Sequence, residues 1–187
     1  MLKVLITHAV NDERIPLGLE GCEVTFLRTG IGKAKAAMRL MDAVCGQCPD
    51  LVINVGTAGS VKHRVGDVFV CCRFIDRDFM KIQLPGLDYD MDSSIPLADK
   101  GWCMDWSPKG VCSTGDSFLT EVSDAVEGDV FDMEAYAQAL VCKEKNIPFI
   151  AVKYVTDRIG ENSVKHWEDK LADARKELEI FFKTNNL

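Results

Sequence analysis

Three carboxylates in this chain stand where strands of a predicted sheet end, and carboxyl groups suit proton transfer. Glu13 comes just after the first apolar strand, Glu134 lies at the start of a predicted helix, and Asp157 follows the apolar run 149–155. In open α/β sheets, ligands bind at the carboxyl ends of the strands. Carboxyl groups that meet there can act as general acid and general base. Singly, the three acids would serve as a solvated charge, a partner of the helix dipole and a turn cap.

Two glycine-rich segments also follow predicted strands. Residues 29–33, Thr-Gly-Ile-Gly-Lys, form a turn before a helix, and the exposed amides of such a turn can hold an anion. Their glycine spacing fits neither a dinucleotide fingerprint nor a P-loop, so a plain strand-to-helix turn is the alternative. Residues 54–60 are interpreted as a second glycine-containing turn at a strand end, in which the small Ala58 and Gly59 would let a ligand approach the backbone and Thr57 adds a hydroxyl.

A third segment, residues 113–119, follows a short predicted strand and places Phe118 and Leu119 beside polar turn residues. An aromatic ring in this setting can stack on a planar ligand while the backbone offers hydrogen bonds to the ligand's edge. The alternative is that Phe118 is an ordinary core residue.

The elements that must position these residues follow from the apolar pattern. Short β-branched runs alternate with helical patterns, which is typical of an α/β sheet buried on both faces. Apolar residues spaced by three and four predict a C-terminal helix with one buried stripe, formed by Val164, Trp167, Leu171, Ala174, Leu178 and Phe181. Predicted strands cover residues 2–7, 23–27, 51–55, 67–72, 80–84, 111–113 and 149–155, and further predicted helices cover residues 31–44 and 133–145.

Length and composition predict a single globular domain over residues 1–187. The chain is 47% hydrophobic and 27% charged, and 187 residues suffice for one sizeable core but are few for two. We find no linker and no repeat, and residues 87–109 are predicted to be a long surface excursion.

Charge and hydropathy limit the classes of partner. The net charge of −7 disfavours phosphate-rich surfaces, so we expect neither nucleic acid nor membrane as a partner. No stretch approaches the roughly 18 apolar residues of a membrane span. The N-terminal run Met1 to Ile6 is typical of a buried strand rather than a signal peptide, so we expect a cytoplasmic protein.

The eight cysteines include one suggestive pair, Cys45 and Cys48. Reactive pairs of this spacing stand at the start of a helix, where the dipole favours thiolate, whereas this pair follows the predicted helix 31–44. We therefore expect reduced thiols, with Gly46 ending the helix, and neither a redox site nor a metal site.

Six motifs together resemble a known family. They occur in order along the chain, at residues 29–33, 54–59, 65–68, 113–118, 132–135 and 155–157. The set resembles the purine nucleoside phosphorylase and nucleosidase superfamily, and most of all its 5′-methylthioadenosine/S-adenosylhomocysteine nucleosidases. The resemblance implies a three-layer α/β/α fold whose central mixed sheet curls into a partial barrel. It also implies hydrolysis of the N-glycosidic bond of a purine nucleoside, a small-molecule substrate, no cofactor and a homodimer.

By the same resemblance, Glu13 would be the general base for the attacking water and Asp157 the acid that protonates purine N7. Glu134 would hold the ribose hydroxyls, and Met133 would pack against the sugar. The bond breaks through an oxocarbenium-like state, which needs a protonated leaving group and a nearby negative charge. The residues assigned to substrate binding are Glu134, Met133, Thr57, Ala58, Gly59, Phe118 and Leu119.

The chain also departs from the family pattern. It is a few dozen residues shorter than a typical member, and the missing parts fall between residues 13 and 23 and between residues 85 and 109. In the family, the second region closes the partner's pocket for the 5′ substituent, so the 5′ specificity stays open. Lys153 stands where the family usually has Arg. Asp157 argues against relatives with Asn there, such as futalosine hydrolases.

Two alternatives remain at this stage. A phosphorylase on the same fold would need a phosphate pocket after the first strand, but only Arg14 is near and Glu13 would repel phosphate. A non-catalytic nucleoside-binding protein would need Phe118 but neither Glu13 nor Asp157. Against each of these alternatives, the residues present favour a hydrolase.

Overall fold

The computed structural model describes residues 1–82, 84–94, 109–122, 127–161 and 163–185, with the backbone alone for 163–166. Eight strands form one mixed sheet: β1 (Leu2–His8), β2 (Cys22–Arg28), β3 (Leu51–Ser60), β4 (Val68–Asp76), β5 (Asp90–Asp92), β6 (Lys109–Thr114), β7 (Val130–Asp132) and β8 (Phe149–Arg158). The helices are α1 (Lys33–Gln47), α2 (Arg77–Met80), α3 (Ala135–Glu144) and α4 (Ser163–Thr184), and a 3₁₀ turn covers Asn11–Glu13.

Five of the strands close into a ring. β3 pairs with β7 and β8, β8 pairs with β4, β4 pairs with β6, and β6 pairs with β7. β1 extends the sheet from β3, β2 extends it from β1, and β5 lies at the outer edge of β4. Parallel and antiparallel pairs both occur, so the expected mixed, partly barrel-like sheet is confirmed.

Helices cover both faces of this sheet and complete the three layers. On one side, α1 and α3 pack Leu40, Val44 and Ala139 against Phe74 and Phe149 of the barrel. On the other side, α4 packs residues such as Leu178 and Phe182 against the outer faces of β1, β3 and β8. Because β3 and β8 are buried on both faces, their sequences are nearly continuous apolar or small-residue runs.

β3 is longer than the sequence pattern predicts. The apolar run suggests a strand over 51–55, but pairing continues to Ser60 because β8 lies alongside the whole segment and β7 joins at Gly59. The glycine-containing motif 54–59 therefore lies within a central strand, and the prediction of a turn there was wrong. Hydrogen bonding from both neighbours outweighs the low strand propensity of glycine.

Two further expectations need correction. Of the strand predicted over 80–84, the described residues 80–82 and 84 are not in a strand, because the Asp76 carboxylate caps the amides of Asp78 and Phe79 at 3.0 and 3.2 Å and starts α2. Gly46 does not end α1, which continues to Gln47 and closes on Cys48 in the left-handed conformation. The three-residue strands β5 and β7 escape prediction since they are too short to show a period.

Other expectations fall partly or wholly beyond what is described. Residues 95–108 of the predicted surface excursion lie outside the described residues. Of the C-terminal stripe, Ala174 and Leu178 are buried as predicted, Phe182 rather than Phe181 is fully covered, and the side chain of Val164 lies outside the described part.

The seven cysteines in the described ranges are free thiols, and Cys45 and Cys48 are exposed at the C-terminal end of α1. No cluster of His, Cys, Asp and Glu among the described residues could hold a metal ion. A search of the described helices finds none with the length and apolar character needed to cross a membrane.

We predict that Leu178→Ala lowers the free energy of unfolding by about 2–5 kcal/mol, because it opens a cavity in the core beneath α4. Leu178 is 0% exposed, whereas Ile180 on the same helix is 45% exposed. Ile180→Ala is the matched control and should change stability by no more than about 0.5 kcal/mol. Urea unfolding measures both, and equal losses in the two variants would contradict this packing.

Candidate active site

One cavity of about 290 Å³ lies at the carboxyl end of the barrel strands. It is bounded by the loop after β1, the turn before α1, the second half of β3, Arg77 at the start of α2, the loop after β6, the β7–α3 junction, the end of β8 and Trp167 of α4. All nine residues singled out from the sequence line it: Glu13, Thr57, Ala58, Gly59, Phe118, Leu119, Met133, Glu134 and Asp157.

The Glu13 carboxylate is buried and surrounded by hydrogen-bond donors. Oε1 accepts from the backbone N–H of Thr57 at 2.9 Å and from its hydroxyl at 2.7 Å. Oε2 accepts from the amides of Ala9 and Val10 at 3.1 and 3.3 Å. The 3₁₀ turn after β1 folds the side chain back over these amides. Charge-assisted bonds of this kind hold a buried carboxylate in place and offset its loss of hydration.

Asp157 reaches the cavity through an irregularity in β8. The pairing with β3 passes from Ala58 opposite Val155 to Gly59 opposite Asp157, so Thr156 is an extra residue in β8. Such bulges redirect side chains next to functional sites. The Thr156 hydroxyl donates to Asp157 Oδ1 at 2.8 Å. Gly59 is required opposite, because a Cβ there would lie 2.9 Å from Asp157 Oδ2.

Glu134 stands at the N-terminus of α3, and the glycine-rich turn 29–33 holds it. Gly32, at φ +97°, donates its amide to Glu134 Oε1 at 3.0 Å. The next amide, of Lys33, donates to Asp116 Oδ1 at 2.7 Å. The turn thus binds anions as the sequence suggested, but the anions are carboxylates of the protein itself.

A buried ion pair lies behind Glu134. Lys153 Nζ is 2.8 Å from Asp132 Oδ2, and both side chains are almost completely enclosed. Asp132 also accepts from the hydroxyl of Thr114 at 2.6 Å and from the amide of Ala135 at 2.9 Å. Burial by itself would raise the pKa of Asp132, but the Lys153 ammonium and these donors hold that pKa below its ordinary value.

The pKa of Glu134 is shifted in the opposite direction. Burial raises the pKa of its carboxyl to about 8, and the nearby Asp132 carboxylate adds to the rise. The Lys153 ammonium and the Gly32 amide act in the other direction but do not cancel it. The carboxyl groups of Asp132 and Glu134 are therefore set to different protonation states, because Lys153 pairs with Asp132 and not with Glu134.

Arg77 holds the far wall of the cavity. Its guanidinium is buried and donates to the backbone carbonyls of Ser113 at 3.1 Å, Asp132 at 2.8 Å and Gly115 at 3.2 Å, and also to that of Ser117. One side chain thereby joins the ends of β6 and β7 to the loop that carries Phe118 and Leu119.

An aromatic pair forms the mouth of the cavity. The rings of Phe118 and Trp167 meet edge to face, with centroids 6.4 Å apart. The Trp167 indole N–H donates to the Thr57 hydroxyl at 2.9 Å. Sequence reasoning placed Trp167 in the buried stripe of α4 and did not single out Arg77 or Asp132. An Arg immediately after an apolar strand is a weak signal, since its carbonyl partners are visible only in the folded chain.

We predict that Glu134 makes the protein less stable as pH rises. Its pKa in the folded chain, about 8, lies above the ordinary value of 4.5, so between these limits the folded state binds a proton that the unfolded chain has lost. The free energy of unfolding should fall across this range by roughly 1 kcal/mol per pH unit or less from this group. Glu134→Gln, which cannot titrate, should show a flatter profile.

Urea unfolding of wild type and Glu134→Gln at several values between pH 5.5 and 8.5 measures the difference. Glu144→Gln, at the exposed end of the same helix, is the matched control and should follow the wild-type profile. Parallel profiles for wild type and Glu134→Gln would show that Glu134 does not retain its proton in the folded chain.

Comparison with known proteins shows to which family the chain belongs. The phosphorylase superfamily matches over residues 12–184. A 5′-methylthioadenosine/S-adenosylhomocysteine nucleosidase of Bacillus cereus (strain B4264) is 34% identical in an alignment 169 positions long, and the alignment covers 78% of this chain and 72% of the relative.

Solved structures agree on the fold. The Helicobacter pylori 5′-methylthioadenosine/S-adenosylhomocysteine nucleosidase with butyl-thio-DADMe-Immucillin-A has a TM-score of 0.79 at 17% identity, covering 99% of this chain and 97% of that one. The Streptococcus pyogenes S-adenosylhomocysteine nucleosidase with 5-methylthiotubericidin has a TM-score of 0.79 at 21% identity, covering 100% and 97%. With the superfamily match and the Bacillus relative, the chain belongs to the phosphorylase superfamily and, within it, to the family of the 5′-methylthioadenosine/S-adenosylhomocysteine nucleosidases.

Proposed function

We propose that this protein is a purine nucleosidase that hydrolyses the N-glycosidic bond of an adenine nucleoside, of the methylthioadenosine or S-adenosylhomocysteine type, to free base and sugar. The observation that carries the proposal is the meeting of Glu13, Glu134 and Asp157, all buried, in one cavity with an aromatic mouth. The names of the relatives supply the substrate class, since they act on nucleosides of this type.

The reaction needs two kinds of help, and the cavity offers both. As the bond between C1′ and N9 breaks, the leaving purine gains negative charge and the sugar gains positive charge. Asp157, as a carboxylic acid, donates its proton to purine N7 so that the base leaves neutral. Glu134 accepts hydrogen bonds from the ribose hydroxyls and places a carboxyl oxygen beside the developing cation. Water forms the new bond to C1′ and gives its proton to Glu13.

The residues that line the cavity suggest how the substrate is held. Phe118 presents its ring for stacking on the purine, and Leu119 continues the loop whose backbone groups face the base edge. Met133, half-buried, packs beside the sugar, next to Glu134. Thr57 stands between base and sugar, and the small Ala58 and Gly59 let the ligand approach β3.

The geometry favours water over phosphate as the nucleophile. A phosphorylase would use amides after the first strand for phosphate, but here the amides of Ala9 and Val10 donate to Glu13. Arg77 is the one cation among the described residues that line the cavity, and its guanidinium already donates to four carbonyls. Phosphate would therefore meet a buried carboxylate rather than a set of open donors.

A purely binding role is less consistent with the site. Burying the carboxylates of Glu13 and Asp157 costs hydration free energy, and stacking or edge recognition of a purine requires neither. The same cleft holds Glu134, whose pKa burial raises to about 8, and perturbed acids in a cleft are typical of catalytic sites. The arrangement is therefore better explained by bond cleavage than by storage or sensing of a nucleoside.

We also propose that the protein is a cytoplasmic homodimer whose subunits are single domains of residues 1–187. Free thiols on the described surface suit a reducing compartment.

Ile82 and Leu84, after α2, are 52% and 59% exposed, and in the family this segment closes the partner's 5′ pocket. Sedimentation equilibrium should give twice the chain mass, and Leu84→Glu should weaken the dimer. A wild-type chain that stays monomeric at assay concentration would contradict this.

The activity is tested with methylthioadenosine, S-adenosylhomocysteine, adenosine and inosine, each with and without phosphate. We expect release of adenine and a reducing sugar from one or both of the first two, at a rate that phosphate does not change. Strict dependence on phosphate with a sugar 1-phosphate product would instead establish a phosphorylase. Binding without release from any of the four would establish a nucleoside-binding protein.

Asp157→Asn separates chemistry from binding. Loss of the proton donor should lower kcat by about 10²–10⁴-fold, and Glu13→Gln should lower it by a similar factor. Adenine should still bind to Asp157→Asn, by calorimetry, with nearly wild-type affinity, because stacking on Phe118 is retained. Asp173→Asn, on the exposed face of α4, is the control of equal charge change. Near wild-type turnover in Asp157→Asn would remove Asp157 from the mechanism.

A further inference from the structure

Trp167 makes a contact that the mechanism above does not use. Its indole N–H, from the start of α4, donates to Thr57 Oγ1 at 2.9 Å. The same hydroxyl lies 2.7 Å from Glu13 Oε1. A chain of two hydrogen bonds thus links the C-terminal helix to the carboxylate that is proposed to activate water.

The direction of these bonds is fixed by the chemistry of the groups. An indole nitrogen can only donate, so the Thr57 oxygen must accept from it. A hydroxyl carries one hydrogen, and with the indole on a lone pair of the oxygen that hydrogen is directed at Glu13 Oε1. Without the indole, the hydroxyl could turn away, and Oε1 would keep only the amide of Thr57 as a certain donor.

The position of Glu13 depends on this oxygen. Oε2 is held by amides of its own turn, three and four residues away in the chain, so those bonds move with the side chain. The Oε1 contacts reach across to β3, 44 residues away, and fix the carboxylate relative to the barrel. Small displacements of a general base from its productive position are costly, because proton transfer needs close alignment.

We propose that Trp167 is a positioning residue for hydrolysis, which orients the Thr57 hydroxyl and through it the Glu13 carboxylate. This inference rests on the proposed nucleosidase function. It makes α4 part of the catalytic apparatus as well as the cover of the core. The edge-to-face contact with Phe118 keeps the indole in place beside the residue that stacks on the purine.

The test compares Trp167→Phe, Thr57→Val and the double variant in steady-state hydrolysis of the preferred nucleoside. Trp167→Phe keeps an aromatic ring beside Phe118 and removes the N–H donor together with part of the fused ring. We expect kcat to fall about 3–10-fold, the effect of one net hydrogen bond, with KM changed less than about twofold. The double variant should be no slower than Thr57→Val alone, because the indole acts through the hydroxyl.

A control separates this role from packing. Ile180→Ala, on the exposed face of α4, should leave kcat and KM unchanged. Thermal melts of each variant check that the fold is retained before kinetic constants are compared.

Each outcome decides the matter. A rise in KM with unchanged kcat in Trp167→Phe would make Trp167 a wall of the substrate pocket and overturn the inference. Multiplying effects of Trp167→Phe and Thr57→Val would overturn it too, since the path through the hydroxyl would be absent. If wild type releases no base from any nucleoside, the proposed function fails along with the inference. An active wild type with an equally active Trp167→Phe overturns the inference alone.

Discussion

Burial of negative charge is the constraint on which the site depends. Glu13, Asp132, Glu134 and Asp157 are all nearly inaccessible to water in a chain whose net charge is already −7. A buried carboxylate is tolerated when it gains donors, gains a cation or keeps its proton. The fold applies all three solutions: four donors surround Glu13, Lys153 pairs with Asp132, and burial raises the pKa of Glu134 to about 8. Three buried carboxyl groups are thus accommodated by three different local solutions to one electrostatic problem.

These solutions require the strand ends to be brought together accurately. The turn 29–33 supplies the amide for Glu134, the bulge in β8 turns Asp157 into the cavity, and Arg77 joins the loops of β6 and β7 through their carbonyls. Closure of the five-strand ring places all of these at one end. Residues from eight separate segments of the sequence thereby become neighbours in space, and no single segment carries the site alone.

The sequence predicted the class of fold and the residues of the cavity better than it predicted local structure. Two of the six ordered motifs contain Glu134 and Asp157, and Glu13 was singled out by its place after the first strand, because strand ends in an α/β sheet meet at one edge. The same motifs misled on β3, where the glycines of residues 54–59 suggest a turn but pair with two neighbouring strands. Trp167 has helical spacing typical of core, and only the folded chain shows its indole beside Thr57. Such contacts depend on the orientation of α4, which apolar periodicity does not encode.

The choice of nucleophile also follows from the electrostatics. Backbone amides that converge at the end of a strand can bind an anion. In this chain Glu13, four residues beyond Ala9, folds back and occupies those amides with a carboxylate that belongs to the protein. Two features therefore disfavour phosphate. The amides that would bind it already donate to Glu13, and the Glu13 carboxylate repels its negative charge. Water has no charge to be repelled, and in the proposed mechanism it gives its proton to the same carboxylate. The 3₁₀ turn that carries Glu13 thus fills the amides after β1 with a carboxylate of the protein, as the proposed hydrolysis requires.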